Sequence, residues 1–203
     1  MSDLISRRSF TTLSAAAMLG STAEPVSGAE DKNKLASAPT IGPTEARFER
    51  SYAPPTFKPP WKKPQINRQF VQDFVIYAHS DLAMVQKLLA QEPALLNAAM
   101  DWGAGDWETG LGGASHMGRH DIVAFLLENG ARIDIFCAAM MGQLEAVTSF
   151  LALQPRLIDA KGPHGLNLHF HAQVGGKKSE HVLDYLQSVK KVELKPNPFL
   201  PKK

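Results

Sequence analysis

Two groups of residues in this 203-residue chain are of types that could do chemistry. The first lies at 101–108, where Trp102 and Trp107 flank Gly103-Ala104-Gly105-Asp106 and where Asp101, Asp106 and Glu108 supply carboxylates. Two tryptophans on a glycine-rich loop suit a binding patch, because Trp buries a large area and is enriched at interface hot spots. The competing reading folds one or both indoles down onto the core, where large aromatics are commonly found. The second group is histidine. His164, His169 and His171 lie close together, as do His116 and His120. His169-Phe170-His171 could offer two imidazoles to a metal such as zinc, but residues two apart on a helix point to different sides. No cysteine or dedicated carboxylate accompanies the trio. The expectation is therefore no metal and no cofactor, with His164, His169 and His171 as the alternative metal set. Candidate binding residues are Trp102, Asp106, Trp107, Glu108 and His116. Catalytic residues are not expected: serines are scattered, and no Gly-x-Ser-x-Gly or metalloprotease motif occurs. Cys137, set among Phe136, Ala138, Ala139 and Met140, reads as a buried, inert thiol.

The elements that must position these residues are short helices. Thr109-Gly110-Leu111 opens a helix that Gly118 stops, and Asp121 starts a second with Ile122, Val123, Phe125, Leu126 and Leu127 as its apolar residues, ended by Gly130. Isolated helices this short are marginal in water, so each needs a neighbour for its apolar face. Gly112-Gly113 inside the first helix costs about 1 kcal/mol per residue against alanine. Close approach of a neighbouring backbone or a ligand would explain the pair, and so would simple tolerance. The stretch resembles an ankyrin repeat: Thr109-Gly110-Leu111-Gly112 stands at the family's Thr-Pro-Leu-His opening, Ala114 to Gly118 at its Ala-Ala-x-x-Gly, and Ile122–Leu127 and Gly130–Asp134 at its later motifs. The resemblance implies an all-α fold, a short ankyrin-type solenoid of about four helix-turn-helix repeats. It also implies a protein-binding scaffold without catalysis.

An internal repeat agrees. At an offset of 62 residues Leu82, Val85, Leu89, Pro93, Leu95 and Ala98 fall on Leu144, Val147, Leu151, Pro155, Leu157 and Ala160. Two ankyrin units of about 33 residues predict an offset near this value. Four units result, at about 67–98, 106–134, 135–160 and 165–190, within a repeat domain at 67–190. Unit three begins directly after Asp134, with no room for a finger loop before its first helix, whereas the connection from Asn97 to Glu108 is long. Residues 30–66 hold seven of the 14 prolines and read as a linker or extended arm. Phe57 and Trp61 would be the pegs if that arm lies on the first repeat. The basic, proline-containing tail, 191–203, is expected to fray.

The N-terminus carries an address. Arg7-Arg8-Ser9-Phe10 precedes a mild apolar run from Leu13 to Leu19 and small residues ending at Ala23 or Ala29. This resembles a twin-arginine export signal over residues 1–29, with Arg7, Arg8 and Phe10 its marks. It implies a periplasmic or otherwise extracytoplasmic location. The run is too short to span a membrane, which takes about 20 apolar residues. A formal net charge of +2 implies no strong field toward nucleic acid. The expected partner is another protein.

Overall fold

The computed structural model describes residues 45–196. Those residues are mostly helical, which agrees with the all-α expectation. Eight α-helices run in four consecutive pairs: α1 (Arg68–Ala78) with α2 (Leu82–Gln91), α3 (Gly110–His116) with α4 (His120–Glu128), α5 (Ile135–Met140) with α6 (Leu144–Leu153), and α7 (Leu168–Val174) with α8 (Glu180–Val189). The first helices pack in chain order, α1 on α3, α3 on α5 and α5 on α7. The 62-residue internal match is visible as structure: α2 and α6 each run into a 3-10 turn led by proline, Pro93–Asn97 and Pro155–Asp159.

Local chemistry explains where the first helices begin. Each opens on a side chain that accepts a hydrogen bond from a backbone N–H of the first turn: Asn67, Thr109, Asp134 and Asn167. Such caps satisfy donors that a helix start otherwise leaves orphaned, each worth about 1 kcal/mol. Asp81 does the same for α2. The apolar faces meet in two clusters. One gathers Phe74, Val75, Val85, Leu95, Ile122 and Leu126; the other gathers Val147, Leu168, Val182 and Leu186. Cys137 is buried in the first cluster, and burial pushes its thiol up to about 11, as suits an inert core residue.

The long connection after the first pair is a two-stranded antiparallel hairpin, β1 (Ala99–Asp101) and β2 (Trp107–Thr109), with Met100 opposite Glu108. Its turn is held by Asp101, whose Oδ1 accepts from the N–H groups of Gly103 at 2.8 Å and Gly105 at 3.1 Å. Unit three has no counterpart, since residues 131–134 lead straight into α5. In unit four the counterpart is a single turn, Pro163–Gly165.

One alternative for the arm is not realised: Phe57 and Trp61 are exposed rather than pegs, and Ile66 packs on the first cluster instead. In the tail, side chains bond the backbone of residues 192 and 195. Gln187 bonds both the N–H and the carbonyl of Val192 at 3.0 Å, and Gln173 Nε2 donates to the Lys195 carbonyl at 3.0 Å. The export-signal residues Arg7, Arg8 and Phe10 lie outside the described residues. Among the described residues no helix is long and apolar enough to cross a membrane.

Gly142, in the turn between α5 and α6, sits at φ +74, and a Cβ built there would land on the Lys178 carbonyl oxygen. Gly130, at φ +89, has open space around it. Gly130→Ala is expected to lose about 1–2 kcal/mol from the left-handed conformation alone. Gly142→Ala should lose a further 1–3 kcal/mol, roughly the cost of forced overpacking. Urea unfolding of the two variants checks the difference; equal losses would refute the contact.

Candidate metal centre

The strand alternation of β2 decides the site. Successive side chains point to opposite faces, so Trp107 is turned outward, 63% exposed, and Glu108 inward, 1% exposed. A buried carboxylate carries a desolvation penalty of several kcal/mol unless it is well partnered. Trp102 supplies one partner, its indole Nε1–H donating to Glu108 Oε2 at 2.7 Å. Three imidazoles supply the rest of the surroundings. His79 Nε2 lies 3.4 Å and His164 Nε2 3.6 Å from Oε2, and His116 Nδ1 lies 3.1 Å from Oε1. One ligand atom from each of His79, Glu108, His116 and His164 lies within 4.8 Å of every other.

The far sides of two rings settle which way they face. His79 Nδ1 is 2.8 Å from the Val75 carbonyl oxygen. A carbonyl only accepts, so Nδ1 carries the hydrogen and the neutral ring offers its Nε2 lone pair to the cluster. His164 Nδ1 lies 2.9 Å from Asp106 Oδ2, while Asp106 Oδ1 accepts the backbone N–H of His164 at 2.8 Å. The same logic leaves the His164 Nε2 lone pair inward. A histidine whose second nitrogen is fixed by a carbonyl or a carboxylate is the usual arrangement around a metal. His79 and His164 approach the same oxygen, Oε2, at 3.4 and 3.6 Å, near the ligand–ligand edge of about 3.3–3.5 Å that bonds of 2.0–2.1 Å make in a tetrahedron, while His116 approaches the other oxygen, Oε1.

The protonation states suit this use. Burial is the largest influence on His79 and holds it below the ordinary imidazole value despite the nearby Glu108 charge. Burial works to raise the Glu108 carboxyl, but the approach of His116, the charge of His79 and the Trp102 hydrogen bond together leave it below the ordinary carboxylate value. An ionised carboxylate and neutral imidazoles are the forms that bind metal.

Backbone features place the four residues. His79 caps the end of α1 and His116 ends α3. His164 sits at φ +57, ψ +21, in the left-handed region, which costs an ordinary side chain about 1–2 kcal/mol. Two hydrogen bonds to the Asp106 carboxylate, from its backbone N–H and its Nδ1, hold it there, and such strain concentrates at functional sites. Gly113 makes room for His79: a Cβ at Gly113 would lie 2.8 Å from the His79 ring carbon Cε1 and 3.0 Å from Nδ1. A Cβ at Gly112 would meet its neighbours at 3.4–3.5 Å, ordinary contact. What lies close to Gly113 is a side chain, the His79 ring, rather than the backbone or ligand expected, and Gly112 has no such close neighbour.

Of the residues singled out in the sequence, Trp102, Asp106, Glu108, His116 and His164 come together, while Trp107 faces away. His169 and His171 do not join His164. His169 Nε2 bonds the Lys190 carbonyl at 2.9 Å, and His171 Nδ1 bonds the Asn167 carbonyl at 2.9 Å. Burial pushes His171 down to about 4. His79 was missed, since nothing near it in the chain is a ligand; its signal is the glycine it packs on, 34 positions later.

Gly113→Ala is expected to destabilise the protein by about 1–3 kcal/mol by displacing the His79 ring, while Gly112→Ala is neutral or stabilising by up to about 1 kcal/mol. Denaturant midpoints measure both, and a stabilised Gly113→Ala would contradict the close approach.

Compared with protein-family models, with curated proteins and with solved structures, the chain matches none.

Proposed function

We propose that this chain is a metal-binding protein in which His79, Glu108, His116 and His164 hold one divalent transition-metal ion, zinc first among them. The observation that carries the reading is the convergence of inward-facing imidazole nitrogens on a buried carboxylate, two of them with their tautomers fixed from behind. Lone pairs turned toward an anion repel it unless a cation sits among them. Imidazole and carboxylate ligands suit zinc, and imidazole also suits copper, iron and nickel. Four protein ligands describe a site that retains its ion. The expectation of no metal and no cofactor is set aside here. The order of the helix pairs supports the ankyrin-type reading of the scaffold, and the arginine pair with its apolar run supports an extracytoplasmic setting.

The test is metal analysis of protein purified without chelator, followed by titration. About one equivalent of zinc is expected, with the unfolding temperature rising as zinc is added, because a ligand that binds only the folded state stabilises it. Glu108→Gln should abolish stoichiometric binding. Asp106→Asn should weaken binding by about 10–100-fold, the usual effect of losing a group that orients a ligand. Less than a tenth of an equivalent in folded protein, before and after adding zinc, would end the reading.

A second reading, protein binding, is favoured by Trp107, an exposed indole on the hairpin. Together with Trp102, it borders a groove completed by Glu45, Gln65 and Arg68. Trp107→Ala is expected to leave the unfolding midpoint and zinc content unchanged while reducing capture of a partner in cross-linking experiments. An unaltered capture pattern would exclude this face.

A further inference from the structure

The arm that leads into α1 stands clear of the helix pairs. Residues 45–65 are all exposed, and none lies in a helix or a strand. The two ends of the arm are tied together. Glu45 Oε1 accepts from Arg68 Nη1 at 3.2 Å, and Glu45, Gln65 and Ile66 border the groove beside Trp102 and Trp107. What lies between is a closed excursion. Pro54, Pro55, Pro59, Pro60 and Pro64 stiffen it, and the Trp61 N–H turns it by donating to the Pro59 carbonyl at 3.0 Å. A stiff segment loses less freedom when it binds.

Six aromatic side chains are exposed among the described residues, and four of them, Phe48, Tyr52, Phe57 and Trp61, are on this arm. Phe57 is 73% and Trp61 70% exposed. The charge around them has one sign. From Arg50 to Gln72 the chain carries Arg50, Lys58, Lys62, Lys63 and Arg68 and no acid, although its overall net charge is only +2. Arg68 is engaged by Glu45, and the Arg50 guanidinium lies 5.9 and 5.6 Å from the centres of the Phe48 and Tyr52 rings. Lys58, Lys62 and Lys63 have no carboxylate within ion-pair distance among the described residues.

We infer that the arm binds the surface of an anionic lipid bilayer, Phe57 and Trp61 entering the interface and Lys58, Lys62 and Lys63 meeting the headgroups. Indole rings favour the headgroup level, lysines are drawn to anionic lipid, and binding strength follows buried apolar area plus that attraction. The spacing of the rings favours a bilayer over a folded partner. Extended chain repeats every two or three residues, and neither period puts positions 48, 52, 57 and 61 on one face. A protein groove would need pockets on more than one side of the segment, whereas a bilayer interface takes rings in any register. Single-stranded nucleic acid also combines stacking with cationic attraction, but its binding proteins use a groove that tracks the backbone, and these rings stand exposed on an arm. The inference uses none of the four proposed metal ligands, so it and the metal reading stand or fall separately.

Vesicle co-sedimentation of the full chain tests this, with phosphatidylcholine alone and with an equimolar mixture of phosphatidylcholine and phosphatidylglycerol. Binding to the anionic vesicles is expected to be about tenfold tighter or more. The triple variant Lys58→Glu/Lys62→Glu/Lys63→Glu should lose that advantage and, because all three side chains are exposed, keep its unfolding midpoint. A local readout separates the arm from the apolar run at 13–19, which is also in the chain. Brominated phosphatidylglycerol quenches an indole that enters the interface. The parent should be quenched, and most of the quenching should disappear in Trp61→Phe, which keeps an aromatic ring and still sediments with the vesicles. Equal binding to neutral and anionic vesicles, a triple variant that binds like the parent, or quenching unchanged by Trp61→Phe would overturn the inference. Displacement from the vesicles by oligothymidylate or by polyglutamate at equal charge would assign the arm to a nucleic acid or an acidic protein and overturn it as well.

Discussion

The structure depends on the burial of one carboxylate. Glu108 cannot leave the interior without unpairing the hairpin, because the register that places Met100 in the core places Glu108 beside it. A one-residue slip would turn Trp107 inward and Glu108 out. Once Glu108 is inside, its surroundings must compensate the lost hydration. Trp102 bends back from the hairpin to donate to it, Gly113 gives up a side chain so that the His79 ring can reach it, and His164 accepts a left-handed backbone. None of these features is favourable alone. Each becomes intelligible as part of one polar cluster.

The cluster joins helix pairs that are not all neighbours in the chain. Here His79 comes from the first helix pair, Glu108 and His116 from the second with its hairpin, and His164 from the fourth. The bond between Asp106 and His164 spans 58 residues. It can close because the third pair contributes no loop: the chain passes from residues 131–134 directly into the six-residue α5, and α3 and α7 touch past it. Shortening one unit lets its two neighbours meet. Occupation of the site would then stabilise the helix pairs together, since it couples the first to the fourth.

How much of this is legible in the sequence follows from what each feature depends on. Helices and their starts are local. Asp81 and Thr109 announce their helices by type and position, and the 62-residue repeat predicts α2 and α6 with their proline-led turns. The missing loop of unit three is equally plain as a length between Asp134 and Phe136. The site is not local. Asp106, Glu108, His116 and His164 draw attention as residue types, yet spacing groups His164 with His169 and His171, its neighbours in the chain, and the fold gives those two to the backbone carbonyls of Lys190 and Asn167. His79 is invisible by spacing, because its link to Glu108 is made by α1 packing on α3. The Gly112-Gly113 pair records that packing, but a glycine reports only that something is close and not what.

A proton could in principle do the work assigned to a metal, since His–carboxylate contacts are common in polar networks. The geometry argues against it. His116 can turn an Nδ1–H toward Oε1 at 3.1 Å while neutral. His79 and His164, whose ring hydrogens are held by the Val75 carbonyl and Asp106, still direct lone pairs at Oε2, and one added proton satisfies only one of them. Protonating both would set two positive charges around one buried carboxylate, in surroundings that already hold His79 below its ordinary value because burial disfavours its charge. A divalent cation meets all of these demands at one position: it accepts each lone pair, neutralises the carboxylate and leaves every imidazole uncharged.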